Sequence, residues 1–227
     1  MKMSQITYNL LASGSSGNCL IINKFLIHDL GVPFKKIKPY YKDIKLVFIG
    51  HQHIDHLNKT CVKMLAKERP TVRFAVGKWL VPILLECGVS KQNIDIIEAP
   101  KVYDYGICRI SPVVLYHDIP NFGLRIFIGD EKAIYIVDTH TVKGIQAKGY
   151  QWYFIESNYD EDNLEQRIIE KTAAGQYCYE LNVAERHLSH EEASEWLLAN
   201  MGQNSNYVFL HQHKERKQSK DWSYKND

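Results

Sequence analysis

Phe48-Ile49-Gly50-His51-Gln52-His53-Ile54-Asp55-His56 sets four imidazole or carboxylate side chains within six residues, directly after a run (44–49) whose composition reads as a buried strand. In extended backbone, residues two apart point to the same side. His51 and His53 can therefore reach one ion together, whereas on a helix they would point to nearly opposite faces. Asp55 and His56 are neighbours, so a turn after the strand can aim both at a second ion beside the first. Imidazole and carboxylate donors suit Zn²⁺, Mn²⁺ or Fe. The competing reading is a polar loop that happens to be rich in histidine, and four donors in so short a span argue against it.

Outward from this segment, short apolar runs dominate. Strands are expected at 6–12, 19–22, 25–28, 44–49, 71–76, 94–97, 108–116, 124–128, 133–137, 152–155 and 206–210, and helices at 59–68, 79–87, 163–171 and 190–201. Ser13-Gly14-Ser15-Ser16-Gly17-Asn18 is the clearest turn, and Ser189 with Glu192 forms a capping-box pattern before the last helix. Strands with helices set among them indicate a mixed α/β class. No linker or repeat divides the 227 residues, so one domain over 1–227 is expected, with a short basic tail from about 214. That tail carries Lys214, Arg216, Lys217, Lys220 and Lys225 against Glu215 and Asp221. It could meet phosphates, although a solvated terminus is the plainer reading. A net charge of +2 neither requires nor excludes a nucleic-acid partner. Five scattered cysteines without a C-x-x-C pair argue for a reducing compartment and against a cysteine zinc site. With neither a signal peptide nor a membrane span in view, a cytoplasmic location and no membrane partner are expected.

The opening segment resembles the H-x-H-x-D-H signature of the metallo-β-lactamase superfamily. That resemblance implies an α/β (α+β) fold, an αββα sandwich of two mixed β-sheets flanked by helices. It also implies three more ligands: a His after a strand, an Asp bridging two metals, and a last His near the C-terminus. His117 after Val113-Val114-Leu115-Tyr116, Asp138 after Ile134-Tyr135-Ile136-Val137, and His211 after Tyr207-Val208-Phe209-Leu210 stand in that order. Each closes an apolar run, where an α/β site collects its ligands. His140 and His213 are the rivals for the places of Asp138 and His211. The superfamily's early strand-end Asp is matched by Asp29, implied to orient the metal loop, because metal-binding imidazoles need an acceptor for their other N–H.

Three further segments resemble the YycJ-type (WalJ-type) bacterial hydrolases: Leu11-Ala12-Ser13-Gly14-Ser15-Ser16-Gly17-Asn18-Cys19, Glu156-Ser157-Asn158-Tyr159-Asp160, and His187-Leu188-Ser189-His190-Glu191-Glu192-Ala193. The resemblance implies a metal-dependent phosphodiesterase or nuclease, exonuclease-like on DNA. Two divalent ions are implied, Zn or Mn foremost and Fe as a further option, with an activated water between them. His51, His53 and His117 would hold one ion, Asp55, His56 and His211 the other, and Asp138 both. The catalytic candidates are Asp55 and His187, and the substrate-binding candidates are Ser15, Ser16, Asn18, Asn158 and Ser189. His187 precedes a helix N-terminus, a place suited to meeting phosphate. Departures from the family pattern are Arg186 where Gly is usual, His190 where Asn is usual, and Gln212-His213 after the last ligand. The same site could serve a small-molecule hydrolase of esters, lactones, β-lactams or cyclic phosphodiesters, because a fold does not choose its substrate. A metal-bound nucleic-acid-binding module without turnover is the third reading.

Overall fold

In the computed structural model, which describes residues 5–212, the strands form two six-stranded sheets. The first holds β1 (Tyr8–Ala12), β2 (Cys19–Ile22), β3 (Leu26–His28), β4 (Leu46–Ile49), β5 (Arg73–Val76) and β6 (Ile94–Ile96), side by side in sequence order. The second holds β7 (Tyr103–Asp104), β8 (Arg109–Leu115), β9 (Asn121–Ile128), β10 (Glu131–Ile136), β11 (Trp152–Glu156) and β12 (Asn206–Leu210), again adjacent in order. Both are mixed: β1–β2–β3 pair antiparallel and β3 to β6 parallel. The strands β7 to β10 pair antiparallel and β10–β11–β12 parallel.

Period-two alternation decides which side chains enter which layer. Leu20, Ile22, Leu26, Leu46 and Phe48 of the first sheet meet Leu124, Ile126, Ala133, Tyr135 and Phe154 of the second in an apolar layer between the sheets. The intervening Ile21, Val47 and Ile49 face outward. They are covered by helices α1 (Phe34–Ile37), α2 (Lys59–Glu68) and α3 (Val81–Glu86), with Cys61, Val62 and Leu65 of α2 in the same cluster. The chain continues through α4 (Glu161–Ala173) and α5 (Glu180–Ala184) to α6 (His190–Asn200), whose Ala193, Trp196 and Leu197 cover Ile134, Ile136 and Ile155. Strands covered on both faces read as unbroken apolar runs, which is why β2 and β4 are buried at every residue. The result is the four-layered αββα sandwich.

Some expected elements shift for physical reasons. The helix expected at 79–87 opens as a 3₁₀ turn, Lys78–Leu80, and α3 starts only at Val81, with Pro82 in its first turn, where a missing N–H costs nothing. Helix α4 begins two residues before the expected 163, because the Asp160 carboxylate accepts from Asn163 N at 3.0 Å and caps it. The four-residue α1 and five-residue α5 are too short to show a helical period. Among the described residues no helix is long and apolar enough to cross a membrane. The basic tail and His213 lie outside the described residues.

Candidate metal centre

The candidate ligands come from strand ends. Asp29 follows β3, His51 follows β4 by one glycine, His117 follows β8, Asp138 follows β10 and His211 follows β12. Two antiparallel steps separate β8 from β10, so β8, β10, β11 and β12 run the same way and end on one edge. Asp29, Asp138 and His211 all adopt left-handed backbone, with φ of 61°, 59° and 52°. Each such residue costs on the order of 1–3 kcal/mol and persists only where its surroundings hold it. Here they do. Asp29 N donates to Phe48 O at 2.8 Å, the Asn121 amide donates to Asp138 O at 2.8 Å, and His211 N donates to Ser13 Oγ at 2.6 Å. The metal loop itself crosses Gly31, where a Cβ would collide with the Asp55 carbonyl. Glycine is required there by close approach.

Two donor groups result. His51, His53 and His117 form one, and Asp55, His56, Asp138 and His211 the other, with the ligand atoms of each group within 4.8 Å of one another. In the first, His53 Nδ1 faces His51 Nε2 at 3.1 Å and His117 Nε2 at 3.3 Å. Three imidazole nitrogens turned on one another cannot all be satisfied by protons they share; a cation among them satisfies all three. In the second, Asp138 Oδ2 lies 2.7 Å from His56 Nε2 and also 3.3 Å from His51 Nε2. That one carboxylate oxygen therefore stands between the two groups. Asp138 Oδ1 and His211 Nε2 are buried without a hydrogen-bond partner, as donors reserved for an ion would be. The residues fit two divalent cations. Behind them, His56 Nδ1 donates to Asp29 Oδ2 at 2.7 Å, which turns Nε2 toward the site. His117 Nδ1 likewise donates to the Arg186 carbonyl at 3.1 Å.

The electrostatics show what the cavity selects. Burial pushes His51 down to about 3, helped by the His56 charge, so this ring is a neutral donor. Burial also lowers His117. Burial disfavours a charged His211, but Asp138, Asp55 and Glu156 outweigh it and raise its pKa to about 10. His56 is raised in the same way by Asp138 and Asp29. Asp138, despite burial, is held well below the usual carboxylate range by His56, His187 and His211. The anionic pocket thus holds protons where cations would sit. An ion entering the second group must displace the protons of His56 and His211, so metal uptake near neutral pH releases protons. Apparent affinity is expected to rise with pH toward about 10 and to fall on acidification. Titration calorimetry in two buffers of different ionisation enthalpy measures the release, and uptake without protons would contradict the assignment of these two ligands.

The remaining candidates are placed as follows. His187 lies beside the second group, its Nδ1 2.7 Å from Glu156 Oε1 and 3.4 Å from Asp138 Oδ1. Asn18 is buried, accepts from Gly14 N at 2.9 Å and donates to Asp55 Oδ2 at 3.2 Å, so it ties the opening turn to the metal loop. Asn158 donates to the His211 carbonyl at 2.9 Å and lies behind that ligand. Ser189 was expected at the substrate, but it is buried with its hydroxyl committed: it accepts from Glu192 N at 3.1 Å as the cap of α6 and donates to Glu161 at 2.6 Å. Ser15 and Ser16 are exposed on the turn between β1 and β2. His140 is exposed, its ring is tilted at 55° to that of Tyr116, and it belongs to neither donor group.

Glu156 opens the Glu156-Ser157-Asn158-Tyr159-Asp160 segment, and its role shows only in the fold. It ends β11, is fully buried, and accepts from His187 Nδ1 at 2.7 Å, His211 Nδ1 at 3.0 Å and Thr139 N at 3.0 Å. It shares with His117, Asp138 and His211 the place of a polar residue closing an apolar run. Asp138, Glu156, His187 and His211 also cluster within 4.8 Å. Both imidazoles there turn Nδ1 to the same Glu156 oxygen, so the cluster reads as a hydrogen-bond network around one carboxylate.

No sequence-family model matches the chain, and no curated protein matches it in sequence. Solved structures do match it in fold. The metallo-β-lactamase fold protein YhfI from Bacillus subtilis is 13% identical with a TM-score of 0.69, over 92% of this chain and 87% of that one. The short form of human tRNase Z is 12% identical with a TM-score of 0.67, over 90% and 92%. A diphosphatase from the PhnP family is 12% identical with a TM-score of 0.64, over 92% and 87%. The chain has the metallo-β-lactamase fold.

Proposed function

We propose that this chain is a dinuclear metal-dependent phosphodiesterase acting on nucleic acid, a nuclease of the YycJ type. The observation that carries the metallohydrolase reading is the position of Asp138, whose buried carboxylate stands between the two donor groups. Two similar folds, a tRNase Z and a diphosphatase, point by their names to phosphoryl substrates, the first of them to RNA. The three segments that resemble YycJ-type hydrolases support the choice of nucleic acid. His51, His53 and His117 would hold one ion, and Asp55, His56 and His211 the other, with Asp138 shared. When bound, the ions supply an activated water near neutral pH and positive charge for the phosphoryl oxygens. The protein contributes the rest. Asp29 fixes the His56 ring and Glu156 fixes the His211 and His187 rings. In the metal-free protein Asp138 and Glu156 outweigh burial and push His187 up to about 9; Glu156, which accepts from Nδ1, is the partner that stays with this ring when Asp138 is taken by metal. His187 can donate to a non-bridging oxygen or protonate the leaving oxygen.

Metal analysis of the purified protein with a turnover panel tests this reading. The panel is single-stranded DNA, double-stranded DNA, RNA, bis(p-nitrophenyl) phosphate and a chromogenic cephalosporin. Phosphodiester turnover is expected to exceed cephalosporin turnover at every metal loading. A cephalosporin cleaved faster than all four phosphodiesters would replace this reading with that of a small-molecule hydrolase.

A further inference from the structure

The residue before His187 departs from the family pattern, and the structure shows where it lies. Arg186 is 47% exposed, and its guanidinium NH1 is 3.3 Å from Asp118 Oδ2. The other oxygen of Asp118 is 3.2 Å from His117 Nε2 and 3.5 Å from His53 Nε2. The guanidinium therefore stands one carboxylate beyond the three-histidine group, where the side chains of His53 and Asp118 are partly exposed. An exposed Arg–Asp pair is weak in water, so it yields readily to a better anion. A guanidinium keeps further N–H donors in a fork that matches phosphate. We infer that Arg186 is a substrate-recognition residue that takes the phosphate flanking the scissile one, giving the site its preference for a phosphodiester polymer over a small ester. This rests on the phosphodiesterase reading above and adds the polymer contact. The position, one carboxylate outside the metal group, suits the phosphate next to the scissile one in the strand. His117 hydrogen-bonds the backbone carbonyl of Arg186, so substituting the side chain leaves that ligand's support in place.

The test uses Arg186→Gln and Arg186→Lys in the full chain. Binding of a fluorescent single-stranded phosphorothioate oligonucleotide, which resists cleavage and keeps the phosphate charge, is measured against salt on the metal-loaded enzyme, alongside metal content and kinetics. Arg186→Gln should keep both metals, weaken oligonucleotide binding about tenfold, and flatten the salt slope by about 0.7, the loss of one phosphate contact on a single strand. Its KM for oligonucleotide should rise with kcat little changed, and its kinetics on bis(p-nitrophenyl) phosphate should stay at the wild-type level. Arg186→Lys should keep the salt slope and lose part of the affinity, because a point charge replaces the fork. An unchanged slope in Arg186→Gln, with the wild type binding normally, overturns the inference alone and leaves a rim salt bridge. Equal losses on the small diester and the oligonucleotide would place Arg186 at the scissile phosphate and also overturn it. A wild type that neither binds oligonucleotide nor cleaves the diester removes the phosphodiesterase reading and the inference with it.

Discussion

Asp138→Asn is expected to empty the second donor group of metal and to abolish turnover, well beyond the roughly 10–100-fold that outer-sphere substitutions cost. Asp138 holds His56, His187 and His211 protonated in the metal-free protein and presents one oxygen to both donor groups. An amide keeps the shape but has neither the charge nor the second acceptor, so two ions 2+ in charge would face each other with less compensation. Asn is the informative substitution because it is isosteric and tolerates left-handed backbone, which Asp138 adopts at φ 59°. An alanine there would add backbone strain to the loss of charge and confuse the two. Metal content by mass spectrometry, circular dichroism and hydrolysis of bis(p-nitrophenyl) phosphate separate the outcomes. A folded variant with both metals and full activity would dismiss Asp138 as the shared ligand.

Much of this site can be read from local sequence because its geometry is local. His51 and His53 are related by the period of the strand, and Asp55 and His56 by the turn that follows. His117, Asp138 and His211 needed the superfamily resemblance to be singled out, since a polar residue closing an apolar run is common. The strand-end rule alone would also have raised Glu156, whose role depends on β11 lying between β10 and β12 in the sheet. That adjacency places its carboxylate between His187 and His211, and no pattern of residues reports it. The meeting of Asp118 with Arg186 is of the same kind, formed when the segment after α5 folds over the end of β8. Ser189 shows the converse. Its motif resemblance drew it toward the substrate, while the capping pattern with Glu192, legible in the same residues, describes what its hydroxyl does.

His187→Ala is expected to retain both metals and to lose turnover by roughly 10²–10⁴-fold, the range for one positioned acid–base group. Its Nδ1 is taken by Glu156 at 2.7 Å, so the nitrogen left for chemistry is Nε2, and the ring is 18% exposed on the open side of the site. His187→Asn should recover part of the loss if the role is hydrogen bonding to phosphate, and little if the role is proton donation. Glu156→Gln separates this residue from its support. The same carboxylate oxygen orients His211 at 3.0 Å, so this variant should weaken metal binding by about 10–100-fold, as removal of a ligand's acceptor does, and slow turnover as well. His187→Ala should do only the second. Metal occupancy by mass spectrometry and kinetics at saturating metal tell the two apart. Metal loss in His187→Ala would make that ring a ligand and put His211's place in question, and wild-type kinetics would reduce His187 to a neighbour of the α6 cap.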